Sequence, residues 1–131
     1  MTSKEYLRRY KELTEKEEIT EMEIETLERR LLTATAAWKD SLLKEKEEAE
    51  AKLKEIRTAL KEIIKTTKKI QDDFLKDLIK YRYFDFLPWE EVTETLNTKY
   101  KPHSLNNIKQ YSHNRALEEL QSIIDKSAML Q

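Results

Sequence analysis

Glycine does not occur in this sequence, cysteine does not occur either, and proline appears twice in 131 residues. Tight hairpin turns and phosphate-cradling loops need backbone at positive φ, where glycine is the ordinary solution. Its absence argues against strand meanders, P-loops and dinucleotide folds, and for an all-α protein. Without cysteine there is no disulfide framework, thiolate metal site or thiol nucleophile, as expected of a reducing cytoplasm. No apolar run approaches the roughly 20 residues that span a bilayer, and the opening MTSKEYLRRY lacks the form of a signal peptide. The expectation is a soluble intracellular protein with no membrane partner.

Charge is what the chain has in abundance. Charged residues make up 39% and hydrophobic residues 38%, yet the net charge is −1. The charged share is well above the roughly 25% of ordinary globular chains, so some helix must be solvated over most of its circumference. The charges are also unevenly placed. Residues 95–117 hold Lys99, Lys101, Lys109 and Arg115 and no Asp or Glu. A local acid-free stretch in a balanced chain is the footprint of an anionic partner.

Periodicity divides the chain. Tyr6, Tyr10, Leu13, Glu17, Thr20, Ile24, Leu27 and Leu31 alternate spacings of four and three, a narrow coiled-coil seam over a helix from about Lys4 to Thr33. Ile19 and Met22 lie beside it and offer a shifted stripe. TATAAWKDS (33–41) interrupts, with Asp40 or Ser41 expected to cap a new helix and Trp38 to cover the end of the hairpin. Leu42, Lys46, Ala49, Leu53, Ile56, Leu60, Ile63, Thr67, Ile70 and Phe74 continue the alternation. A short connection between two such helices predicts an antiparallel hairpin. Two helices leave apolar edge in water, so a homo-oligomer, a dimer above all, is expected through them.

Residues 71–131 read differently from residues 1–70, and the expected division falls there. DDFLKDLIKYRYFDF predicts a largely buried helix. Pro88 suits a helix first turn, and PWEEVTETLN gives a short helix ending at Asn97 as a left-handed cap. Ser104 is expected to cap a last helix to about Asp125, with Leu105, Ile108, Ser112, Ala116, Leu120 and Ile124 inward. The order is that of a helix-turn-helix. The fold expected is therefore all-α: a long N-terminal antiparallel helical hairpin or coiled coil, then a C-terminal helix-turn-helix unit.

On that reading Asn106, Asn107, Lys109, Gln110 and His113 face outward. Asn and Gln amides match adenine N6/N7, and Lys suits guanine or phosphate. Lys99, Lys101, Arg115 and the Ser104 helix start would touch phosphates of double-stranded DNA. The plainer alternative is a helical cap with a wet polar face.

The stretch KYRYFDFLPWEEVTETLN followed by HNRALEEL resembles region 4 of sigma-70-type factors. It is more similar still to the small ArpU- and RinA-like late transcriptional regulators of Gram-positive phages, in which Trp-Glu-Glu-(Ile/Val) and His-Gly-Arg-Ala-Leu recur. Here these are Trp89-Glu90-Glu91-Val92 and His113-Asn114-Arg115-Ala116-Leu117. Three positions depart from the pattern: Thr93 replaces a small residue, Asn97 replaces a turn glycine, and the loop to Ser104 is longer. The resemblance covers about 50 of the 131 residues. It implies a sequence-specific regulator of phage or mobile-element late genes, working in a bacterial cytoplasm, with host RNA polymerase a further candidate partner.

No enzyme or cofactor is expected. Adjacent carboxylates such as Asp72-Asp73 and Glu90-Glu91 diverge on a helix, and His103 and His113 have no nucleophile or ligand partner in spacing. Two other readings remain open: a phage small terminase subunit, and a coiled-coil interaction or inhibitor protein that does not bind DNA.

Overall fold

The computed structural model describes residues 1–129, and every regular element among them is helical. They are α1 (Ser3–Thr33), α2 (Ala36–Thr67), α3 (Asp73–Ile79), α4 (Trp89–Lys99) and α5 (His113–Met129). A π-helical turn, Lys80–Phe84, extends α3, and another, Asn107–Ser112, leads into α5. The all-α expectation holds.

The chain forms two compact units, and their border is not at residue 70. One is Glu12–Lys61; the other joins Met1–Lys11 to everything from Glu62 onward. The expected division fails because Leu7 is not a hairpin residue. It is fully buried in a core with Ile70, Leu75, Leu78, Ile79, Val92, Leu96, Ile108, Ala116 and Leu120. Polar contacts fasten the same segment: the Ser3 backbone N–H donates to Gln121 Oε1 (2.7 Å) and Ser3 Oγ donates to the Leu117 carbonyl (2.6 Å). The first turns of α1 thus complete the C-terminal core.

The hairpin unit follows the heptads. Leu13, Thr20, Leu27, Ala49, Leu53, Ile56 and Leu60 are buried, with Glu17, Ile24, Leu42 and Lys46 half-buried between them. Ile19 and Met22 are exposed, so the shifted stripe is not the seam. Antiparallel pairing is visible in the ion pairs Glu17–Arg57 (3.2 Å) and Glu28–Lys46 (3.6 Å). The buried Thr20 hydroxyl donates to its own helix, at the Lys16 carbonyl (2.8 Å).

The second helix starts earlier than its expected Asp40 or Ser41 cap. Ala36 and Ala37 are strong helix formers, and the Trp38 and Lys39 N–H groups already donate to the Thr35 carbonyl. Trp38 therefore lies in the first turn of α2 and is largely exposed, with only a minor part of its surface covered.

In the C-terminal unit Asp72 caps α3, accepting from the Phe74 and Leu75 N–H groups (2.9 and 3.3 Å). Leading into α4, the chain turns at Phe86, the one positive-φ residue among those described (φ 57°). Arg82 braces this turn by donating to the Leu87 carbonyl (3.0 Å) and lying over the Trp89 ring (4.7 Å). Helix α4 buries Val92, Thr93 and Leu96 and runs to Lys99, past its expected end at Asn97.

Candidate nucleic-acid interface

Asn97 does close the turn, but with its side chain rather than a left-handed backbone. Its amide donates to the His103 carbonyl and its Oδ1 accepts from the His103 N–H, both at 2.9 Å. That clasp ties the end of α4 to His103 and closes the loop between them. Ser104 then caps the last helix as expected, its Oγ accepting from the Asn107 N–H (3.1 Å).

Beyond the cap, Ile108, Ser112, Ala116 and Leu120 are buried and Asn106, Asn107, Lys109 and Gln110 are exposed. Among the described residues no ion pair or side-chain hydrogen bond engages Asn106, Lys109 or Gln110. Asn107 is partly committed, its Nδ2 lying 3.3 Å from His103 Nδ1. Tyr111 belongs with this group, being 65% exposed beside Gln110. Sequence reasoning assigned it to no face.

Three expected placements fail. Leu105, expected inside, is exposed. His113, expected outside, is half-buried between Tyr83, whose hydroxyl lies 2.7 Å from its Nε2, and Trp89, whose ring centroid is 4.7 Å away. Both residues flank the π-helical Asn107–Ser112 turn, and inside that turn Ile108 and Ser112 are buried as expected. Lys99, expected to be free for phosphate, is hydrogen-bonded to Asp77 Oδ2 (2.8 Å), which also accepts from the Tyr100 hydroxyl (2.6 Å). Burial raises the Asp77 carboxyl, but these two hydrogen bonds outweigh it and hold the group below its ordinary range. The triad ties the end of α4 to α3.

The electrostatics around His113 reveal residues that the sequence could not place. Its pKa is lowered to about 4, first by burial, then by the charges of Lys4 and Arg82. Arg82 and Arg8 act on Tyr83 against the burial that raises its phenol. From the opposite end of the chain, Lys4 therefore adds to the positive surroundings of His113, and Arg8 to those of Tyr83 beside it. Their distance in sequence hid them; only the docking of Leu7 signals it.

Lys101, His103, Asn107, Tyr111 and Arg115 line a shallow depression of about 350 Å³, where Asp72 is the one carboxylate. Lys101 and Arg115 are exposed and have no ion pair among the described residues. No group of three or more His, Asp or Glu suited to a metal ion occurs among them, and no helix there is long and apolar enough to cross a membrane. The surface offers amides, a phenol and cations on a helix held from below, an array able to engage base edges and phosphates.

No family model, curated protein or solved structure matches the chain.

Proposed function

We propose that the protein is a sequence-specific double-stranded DNA-binding transcriptional regulator, of the kind that serves phage or mobile-element late genes. It acts as a homodimer through its N-terminal helices, with host RNA polymerase as a candidate contact. One observation carries the reading. The first turns of the last helix leave Asn106, Lys109 and Gln110 exposed and uncommitted, over a fully buried Ile108, in a stretch with no acidic residue until Glu118. A helix-turn-helix reads the major groove with those turns of its second helix. Lys101 and Arg115 supply phosphate contacts from one side, and Lys4 and Arg8 strengthen the field.

The test is selection of a duplex site from a random pool, followed by variants. Lys109→Ala and Gln110→Ala are expected to weaken the selected site by about 1–3 kcal/mol each while leaving random duplex unchanged. Lys101→Ala and Arg115→Ala should weaken all duplexes alike and reduce the salt slope by about 1 each. Equal losses on every sequence for all four variants would refute the assigned reading face.

A further inference from the structure

The two flanks of the hairpin seam differ in chemistry. One is closed by ion pairs within the chain: Arg57 with Glu17 and Glu21 (3.2 and 2.7 Å), and Lys46 with Glu28 and Glu50 (3.6 Å each). The other is a groove of about 640 Å³ whose lining includes Ile19, Met22, Glu23, Arg30, Glu45 and Lys52. Ile19 and Met22 are 56% and 65% exposed there. Among the described residues, none of Glu23, Arg30, Glu45 and Lys52 forms an ion pair. The seam beneath is less completely covered than the C-terminal core: apart from Thr20 at 0%, Leu13, Leu27, Ala49, Leu53, Ile56 and Leu60 each keep 7–9% exposure, whereas the core residues keep 0–1%.

We propose that this groove receives the same groove of a second copy, with the two hairpins parallel about a twofold axis that runs along their length. Charge and register select this arrangement. Numbers rise along α1 as they fall along α2, and the pairs Glu17–Arg57 and Glu28–Lys46 fix the levels. Arg30 is therefore level with Glu45, and Glu23 with Lys52. An axis along the rod lays α1 of one copy over α2 of the other at equal level. Arg30 then meets the partner's Glu45 and Glu23 meets the partner's Lys52, each contact occurring twice by symmetry. An axis across the rod lays α1 on α1 and, when centred on the groove, leaves Arg30 opposite apolar Ile19. Trp38, Glu45 and Lys52 stand seven residues apart on α2, so the exposed Trp38 joins the same flank.

The size fits as well. Residues 12–33 of α1 make about 33 Å of helix, and two helices side by side are roughly 20 Å wide. A face of about 650 Å² per copy falls within the roughly 600–1,000 Å² of a standard specific interface.

The inference rests on the self-association in the reading above and not on what the C-terminal unit binds. Sedimentation equilibrium of the full chain tests it. Arg30→Glu and Glu45→Arg are each expected to weaken the dimer at least tenfold, with unchanged helical circular dichroism. An equimolar mixture of the two variants should restore it, because the mixed pair sets opposite charges across both contacts, which no effect within one chain can do. A dimer that neither variant weakens uses another face, and a mixture that does not re-form contradicts the parallel register; either result overturns the proposal. A wild-type chain that stays monomeric at every concentration removes the self-association itself. Duplex binding measured on the same samples is judged separately, so its failure bears on the proposed function and not on the groove.

Discussion

His113 shows most plainly how one residue's setting decides its chemistry. Sequence pattern offers it as a surface contact, yet Tyr83 and Trp89 flank it and Lys4 and Arg82 oppose its charge. In the unfolded chain the imidazole titrates near 6.5, and in the fold near 4. Between those values the unfolded chain takes up a proton that the folded chain refuses, so acid favours unfolding. The stability held in this group is complete above about pH 6.5, falls as pH drops, and stops falling below about 4. The expected change is of order 1–2 kcal/mol, since water over the exposed half of the ring screens the effect. Denaturant melts of His113→Gln against the parent, from pH 7 to 4, should show this slope in the parent and a shallower one in the variant. Phe86 was equally hidden. Nothing in the letters marks a phenylalanine for φ 57°, a conformation held by the surrounding turn rather than by intrinsic preference.

At the level of the helices, α4 carries an unresolved conflict of its own. Thr93 is buried with Val92 and Leu96, and among the described residues its Oγ1 has no hydrogen-bond partner. An orphaned buried hydroxyl costs about 1–3 kcal/mol, whereas a methyl of the same shape costs nothing to bury. Thr93→Val is therefore expected to stabilise the C-terminal unit by about 1 kcal/mol, read as a higher midpoint in urea; a lower midpoint would show that the hydroxyl has a partner. Between Leu13 and Leu60 the α1–α2 seam was legible residue by residue, because a 4–3 alternation has one structural solution and Thr20 and Lys46 fit it despite their polarity. The start of α2 was missed because Thr residues around Ala36 and Ala37 masked two strong helix formers. In the last helix the misread positions, Leu105 and His113, flank the π-helical turn, and His113 is drawn inward by Tyr83 and Trp89 rather than by any pattern in the letters.

Across the whole molecule, the decisive fact is that the first eleven residues belong with the C-terminal unit. Heptad reading gave them to the hairpin, and only tertiary burial of Leu7 overrides it. Leu7→Ala should cost about 2–5 kcal/mol and should lower hydrogen-exchange protection in α5, more than a hundred residues away. Protection lost in α1 alone would contradict that placement. The same docking brings Lys4 and Arg8 into the field of the last helix, so the proposed interface draws on both ends of the chain. Its central claim is that the acid-free helix start engages duplex DNA. The most direct measurement is fluorescence anisotropy of a labelled duplex titrated with the full chain over a range of salt concentrations. The account predicts saturable binding whose logarithm falls linearly with the logarithm of salt, at a slope near −0.9 for each phosphate contacted. No binding to any duplex at low ionic strength, or an affinity indifferent to salt, would contradict it.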